Sequence, residues 1–106
     1  MVLWVDDIRI PPDPSFVWAK SVNEAENIII ESEKAEKESC TSIDTKIELI
    51  DLDHDAGDYY PDGGYYIRLL DWLEERGSRY KIKIHSMNPV GIQNMRAIIE
   101  KNKWTD

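Results

Sequence analysis

Residues 47–57 read Ile47-Glu48-Leu49-Ile50-Asp51-Leu52-Asp53-His54-Asp55-Ala56-Gly57. The first half of this stretch is apolar enough to form a buried strand. The second half places three carboxylates and one imidazole within the five residues 51–55. A strand that ends in so many charged side chains predicts a functional site at the edge of a sheet.

Two other segments show the same change from apolar to polar residues. Residues 2–5 run into Asp6 and Asp7, and residues 82–84 run into His85 and Ser86. Ligands of parallel sheets bind beyond the carboxyl ends of the strands. We therefore expect the three strand ends to form one shared site.

Helical segments separate these strands. Ser21 and Glu24 form a capping box for a first helix, and Gly77 ends a second one. Asn88 followed by Pro89 is a good start for a third helix. Strands that alternate with helices predict an α/β fold with right-handed crossovers. We expect a mainly parallel sheet of three or four strands and about three helices.

Three further segments add detail to this prediction. Residues 8–14 contain three prolines, which exclude a helix and predict a stiff loop. Residues 16–19 fit either a short strand or an apolar flap over the site. Residues 81–86 alternate between polar and apolar side chains, which predicts a half-exposed strand at the edge of the sheet.

The composition narrows the class of protein. At 106 residues the chain has the length of one domain, residues 1–106. Its net charge of −8 argues against strong binding to duplex nucleic acid through phosphate neutralisation. The single cysteine, Cys40, indicates a reducing compartment, and no apolar run approaches the roughly 20 residues of a membrane span. We expect a cytoplasmic protein with no membrane partner.

The carboxylates at the strand ends are candidate metal ligands. Asp6, Asp7 and Asp53 are a plausible set for a hard cation such as Mg²⁺, and a histidine among them favours Mn²⁺. The alternative is that one or more of these carboxylates caps a loop by accepting backbone N–H groups.

The two histidines are candidates for acid–base chemistry. If the central strand continues through residue 54, Asp51 and Asp53 share one face and His54 points to the other. His54 is either packed in the fold or catalytic, and His54 and Asp55 are plausible catalytic partners at this site only if the strand breaks there. His85 is the better candidate for a general acid or base, and Asp51 is interpreted as structural.

The third predicted helix begins with a candidate phosphate site. Helix N-termini favour anions, and Gly91 allows a close approach to the backbone. Ser86, Asn88 and Arg9 supply further donors. A metal, two histidines and a helix N-terminus together suit a phosphate ester better than a peptide or a glycoside.

These features resemble two related families. Asp6-Asp7, Asp53 and Ser86 resemble the site of response-regulator receiver domains, in which paired acids hold Mg²⁺ and an aspartate accepts phosphate. The chain differs from that family in its proline-rich loop and in lacking a fifth strand with the expected lysine. A phosphorylation switch at Asp53 is therefore a minor hypothesis.

The closer resemblance is to cyclic-phosphate processing receiver domains, and it covers nearly the whole chain. The motifs that carry it are Leu3-Trp4-Val5-Asp6-Asp7-Ile8-Arg9 with Pro11-Pro12, Trp18-Ala19-Lys20-Ser21, Leu52-Asp53-His54-Asp55 and His85-Ser86-Met87-Asn88-Pro89-Val90-Gly91. The resemblance implies a small three-layer, receiver/flavodoxin-like domain. It also implies a cytoplasmic bacterial protein that acts on cyclic phosphates of RNA ends or nucleotide derivatives.

Two functional hypotheses follow. The first is a metal-assisted phosphoesterase in which Asp6, Asp7 and Asp53 hold Mg²⁺ or Mn²⁺. Its catalytic residues are His54, His85 and Asp55, and its phosphate-binding residues are Arg9, Ser86, Asn88 and Gly91. The second is a non-catalytic receiver-like module that binds a nucleotide or a partner protein through exposed aromatic residues.

Overall fold

A computed structural model of the chain describes residues 1–38, 46–86 and 89–104, so Cys40 and Asn88 lie outside the described residues. The elements in chain order are β1 (Val2–Val5), β2 (Val17–Ala19), α1 (Val22–Lys37), β3 (Leu49–Leu52), a 3₁₀ turn (Gly57–Tyr59), α2 (Ile67–Arg76), β4 (Ile82–Ile84) and α3 (Pro89–Asn102). In these ranges, every helix is too short or too polar to cross a membrane.

The four strands form one parallel sheet in the order β2-β1-β3-β4. This arrangement confirms the predicted α/β fold of the receiver type. Residues 16–19 contribute a strand rather than a flap, because Val17–Ala19 pairs with β1. The alternating segment that follows α2 is an edge strand, as its pattern predicts.

The two faces of the sheet differ in chemistry. The helical face packs on the helices to form the core, and its strand residues are Leu3, Val5, Ala19, Ile50, Leu52 and Ile82. The register of the strands places the alternate residues on the opposite, outer face, which carries Trp4, Trp18, Asp51 and Lys83. The core therefore uses one face, and the other face is available for polar side chains.

All three helices pack on the helical face and contribute to the hydrophobic core there. The crossovers from β2 to β3 and from β3 to β4 run in the same direction across the sheet, and right-handed connections then place both helices on one side. The step from β1 to β2 runs in the opposite direction and would place a helix on the outer face. Its prolines prevent that helix.

The loop between β1 and β2 covers part of the outer face instead. The indole of Trp4 donates from Nε1 to the carbonyl of Arg9 over 2.9 Å, and its ring lies 6.3 Å from that of Phe16. Trp18 donates from Nε1 to the carbonyl of Asp6 over 2.7 Å. Two indole N–H groups thus fix the path of a segment that has no regular structure of its own.

The capping box also anchors a distant loop. Ser21 Oγ accepts from the backbone N–H of Glu24 over 3.0 Å and donates to Asp62 Oδ2 over 2.6 Å. Asn23 Nδ2 donates to the other oxygen of Asp62 over 3.0 Å. The N-terminus of α1 therefore holds the loop between β3 and α2 in place.

Replacing Ser21 with alanine should lower the free energy of unfolding by about 1–2 kcal/mol, because the change removes both the helix cap and a partner of Asp62. Urea unfolding followed by circular dichroism measures this. Ser15→Ala, in the exposed loop before β2, is the matched control and should change stability by less than about 0.5 kcal/mol. Equal effects of the two substitutions would contradict the anchoring role.

Candidate functional site

Three predicted site residues meet at the carboxyl edge of the sheet. Asp6 follows β1, Asp53 follows β3 and His85 follows β4. One ligating atom from each of these residues lies within 4.8 Å of the others. Among the described residues, this is the group of histidine and acidic side chains that is able to hold a metal ion.

His85 is held in position on three sides. Its Nε2 lies 2.8 Å from Asp6 Oδ2, and its Nδ1 lies 2.6 Å from Asp51 Oδ1. Its ring stacks on Trp4 with centroids 3.9 Å apart and planes 3° from parallel. Only 12% of its side chain is exposed. The imidazole therefore has one well-defined position between two carboxylates and an indole.

This environment favours the charged form of His85. Burial alone lowers the pKa of His85, but the hydrogen bonds and charges of Asp51 and Asp6 outweigh burial and raise it above its ordinary value. Burial likewise raises the pKa of Asp6, yet the N–H groups of Arg9 and Ile8 together with His85 lower it overall. The two carboxylates therefore favour the protonated form of the imidazole between them.

Asp6 also caps a loop, which was the alternative to metal binding. Its Oδ1 accepts from the backbone N–H groups of Ile8 over 3.0 Å and Arg9 over 2.9 Å. The guanidinium of Arg9 donates from Nη1 to the carbonyl of His85 over 3.1 Å. One oxygen of Asp6 thus organises the turn after β1, while the other faces the histidine.

Asp7 lies beside this cluster but is not a member of the group within 4.8 Å. It lines a cleft of about 310 Å³ with Asp6, Ile8, Arg9 and Asp53. Burial raises the pKa of Asp7, and the charges of Asp6 and Asp53 raise it further. Asp7 therefore holds a proton at a higher pH than an ordinary aspartate does.

His54 lies beyond the end of β3 at Leu52 and packs toward α3, whereas His85 stacks on Trp4 of the outer face. The ring of His54 packs against Gly91 in the first turn of α3, where an added Cβ would overlap the imidazole. Its Nδ1 lies 2.9 Å from Asp55 Oδ1, and its ring stacks on that of Tyr65 at 5.8 Å. The open side of Gly91 is therefore filled by His54.

The remaining candidates are the predicted phosphate-binding residues Ser86, Arg9 and Asn88. Ser86 directly follows His85 and is half-buried, and Arg9 is exposed at the rim of the cleft. Asn88 lies outside the described residues. His54 is joined to the acidic cluster through its backbone N–H, which donates to Asp53 Oδ1 over 2.7 Å.

Two important residues were not identified from the sequence. Asp51 was interpreted as structural, and Trp4 as part of a buried strand, yet both contact the ring of His85. A signal for Asp51 existed, because a carboxylate inside a buried central strand requires a polar partner. The identity of that partner depends on which strands are neighbours.

Comparison with known proteins agrees with this architecture. The family model described as "Cyclic-phosphate processing Receiver domain" matches residues 1–101. The chain belongs to this family. No curated protein and no solved structure matches the chain. In this cyclic-phosphate processing receiver domain, the carboxyl edge of the sheet carries the cluster of Asp6, Asp53 and His85.

The raised pKa of His85 makes a prediction about pH and stability in the chelator-treated domain. Its contribution to the free energy of unfolding should be fully present below about pH 6.5 and lost as the pH rises through the folded-state pKa. Urea unfolding of the wild type and of His85→Gln across this range measures the contribution.

The folded-state titration of His85 itself is measured by NMR. Asp51→Asn should shift its midpoint downward because one carboxylate partner is lost. Asp55→Asn is the matched control, since Asp55 contacts His54 rather than His85. A midpoint at or below 6.5 in the wild type would refute the charged network.

The contact between His54 and Gly91 makes a second prediction. Gly91→Ala should lower the free energy of unfolding by about 1–3 kcal/mol, because the new Cβ overlaps the imidazole ring. Alanine otherwise favours a helix by about 1 kcal/mol over glycine. The same change in a His54→Ala background should therefore be neutral or stabilising. A double-mutant cycle measured by urea unfolding tests this, and equal effects in both backgrounds would contradict the contact.

Proposed function

We propose that this domain binds a divalent cation at Asp6, Asp53 and His85 and hydrolyses a cyclic phosphate at the carboxyl edge of its sheet. The observation that carries the proposal is the meeting of three ligating atoms within 4.8 Å in a member of a cyclic-phosphate processing family. The substrate class is a cyclic phosphodiester of an RNA end or a nucleotide derivative.

The donor set suits a metal. Two carboxylates match hard cations such as Mg²⁺, and an imidazole moves the preference toward Mn²⁺. The carboxylate of Asp51 lies 2.6 Å from Nδ1 of His85 and favours a proton there, which leaves Nε2 facing Asp6. Metal-binding histidines are commonly oriented by a carboxylate in this way. A cation at this position would offset the negative charge of the phosphate oxygens.

The chain supplies groups for the proton transfers of hydrolysis. The oxygen of water forms a bond to phosphorus, one P–O ester bond breaks, and the leaving oxygen takes up a proton to give a phosphomonoester. Asp7 is suited to one transfer because its pKa is raised by burial and by the neighbouring Asp6 and Asp53. His54, oriented by Asp55 at the same sheet edge, is the second candidate.

Phosphate binding is assigned to the rim of the cleft. Arg9 lines it, and a guanidinium has five N–H donors, so its bond to the carbonyl of His85 does not prevent contact with a phosphate oxygen. Ser86 and Asn88, which precede α3, are proposed as further contacts because a helix N-terminus favours an anion. The expected close approach at Gly91 is instead taken by the ring of His54.

A non-catalytic binding module is the second candidate function. The observation in its favour is that Asp6 and His85 are already hydrogen-bonded on both of their polar atoms. Such a network stabilises the sheet edge without any metal or turnover. This alternative predicts a stoichiometric complex with a nucleotide and no chemical change in the ligand.

The enzyme proposal predicts turnover of a nucleoside 2′,3′-cyclic phosphate in the presence of Mn²⁺ or Mg²⁺, followed as phosphomonoester by ³¹P NMR. His85→Gln and Asp53→Asn should each reduce the rate by about 100-fold or more, because each removes a ligand and a charged group of the cluster. Asp13→Asn, in the exposed loop before β2, is the matched control and should retain full activity. Chelation should abolish turnover.

Metal binding is measured separately by calorimetry. Asp51→Asn should weaken Mn²⁺ binding by about 10- to 100-fold, because Asp51 orients the imidazole without contacting the ion. Absence of turnover with either metal, or full activity of His85→Gln, would exclude the enzyme proposal. A stable complex without turnover would favour the binding module.

A further inference from the structure

A second cleft lies beside His54, in the loop between β3 and α2. This tyrosine cleft has a volume of about 460 Å³ and is lined by Tyr60, Pro61, Gly63, Gly64, Tyr65, Ile67 and Arg68. Its volume falls in the range of about 300–1,000 Å³ that small-ligand sites occupy. It does not share a lining residue with the acidic cleft.

Aromatic rings connect the tyrosine cleft to the candidate site. The ring of Tyr65 is 5.8 Å from that of His54, with planes 16° from parallel, and 4.6 Å from that of Tyr60. Tyr60 is 51% exposed and Tyr65 is 46% exposed. Two large rings are thus presented to solvent next to a histidine whose backbone N–H bonds Asp53.

The loop that carries these rings is held at several points. Gly64 donates its N–H to the carbonyl of Tyr60 over 2.7 Å, which closes the turn between the two tyrosines. Asp62, which lies between the two tyrosines in sequence, accepts hydrogen bonds from Ser21, the N-cap of α1, and from Asn23. Binding of a ligand to these rings therefore requires little additional ordering of the loop, so the entropic cost of binding is small.

The charge of the tyrosine cleft differs from that of the acidic cleft. Arg68 is the single charged residue among those that line it, whereas three aspartates line the acidic cleft. The side chain of Arg68 lies over Gly64, where an added Cβ would be 3.2 Å from its Cγ and 3.5 Å from its Nε. Planar aromatic surface next to a cationic hydrogen-bond donor fits a flat heteroaromatic ring whose edge carries hydrogen-bond acceptors.

We propose that the tyrosine cleft binds the nucleobase of a nucleotide ligand. The base stacks on Tyr65, and Tyr60, whose ring is inclined 55° to that of Tyr65, borders the edge of the base. Arg68 faces hydrogen-bond acceptors of the base, and the sugar phosphate extends past His54 toward Asp53. This inference rests on the proposed function and deepens it, because it gives the base of such a nucleotide a binding site of its own. The tyrosine cleft then determines specificity, and the carboxyl edge carries the chemistry.

The experiment compares two ligands that differ only in the base, adenosine 3′-phosphate and 1-O-methylribose 3-phosphate, by calorimetry on the full chain. Neither is a cyclic ester, so binding is measured without turnover. The nucleotide should bind about 5- to 150-fold more tightly, the effect expected for stacking one base on an aromatic ring. Tyr65→Ala should remove most of this difference, and Tyr65→Phe should retain it.

Tyr59→Ala is the matched control, because Tyr59 is an exposed tyrosine of the same loop that does not line the tyrosine cleft. It should bind the nucleotide as the wild type does. Equal affinity for the two ligands, or equal losses in Tyr59→Ala and Tyr65→Ala, overturns the inference. Binding of a protein partner that requires Tyr65, without nucleotide binding, also overturns it.

The two proposals fail in different ways. If cyclic phosphates are hydrolysed equally well with and without a base, and Tyr65→Ala leaves that rate unchanged, the base site is wrong while the phosphoesterase stands. If nucleotide binding depends on Tyr65 but no cyclic phosphate is turned over, the phosphoesterase is wrong while the base site stands.

Discussion

The hydrogen bonds of His85 to Asp6 and Asp51 are the interaction on which this sheet edge depends. The three residues belong to the ends of β4, β1 and β3, so one imidazole joins three strands at their carboxyl side. Buried charges are costly unless they are paired, and here each carboxylate is paired with the same ring. The pairing explains why the central strand β3 contains Asp51, and the indole of Trp4 covers one face of the same imidazole. Removing His85 leaves both carboxylates without their shared partner, so the two aspartates depend on one ring.

The candidate site residues are distributed over both sides of the sheet edge. Asp51 and His85 lie on the outer face with Trp4, whereas His54 points to the helical face and meets α3 at Gly91. A ligand that contacts both histidines must therefore cross the edge of the sheet rather than sit on one side of it. The proposed phosphate and base positions follow this geometry, with the acidic cleft on one side and the tyrosine cleft beyond His54.

Local patterns predicted much of this structure, and pairing between distant strands accounts for what they missed. The capping box predicted the start of α1, which has Ser21 as its N-cap. The direction of His54 was left open, because it depended on where β3 ends, and β3 ends at Leu52. The contact between Asp51 and His85 required the register of β3 with β4, which is 34 residues away in the chain. The side on which the helices pack also depends on strand order, because the direction and handedness of each connection decide which face its helix covers.

The loop between β1 and β2 replaces a helix on the outer face, and this has a consequence for how the domain can change. Its residues Ile8 and Arg9 line the acidic cleft, yet the hydrophobic core lies on the other side of the sheet. Substitutions at these two positions therefore alter the wall of the cleft without creating cavities among the helices. The residues that form the wall of the cleft and the residues that form the hydrophobic core are therefore separate, so the cleft can change in sequence while the core is kept.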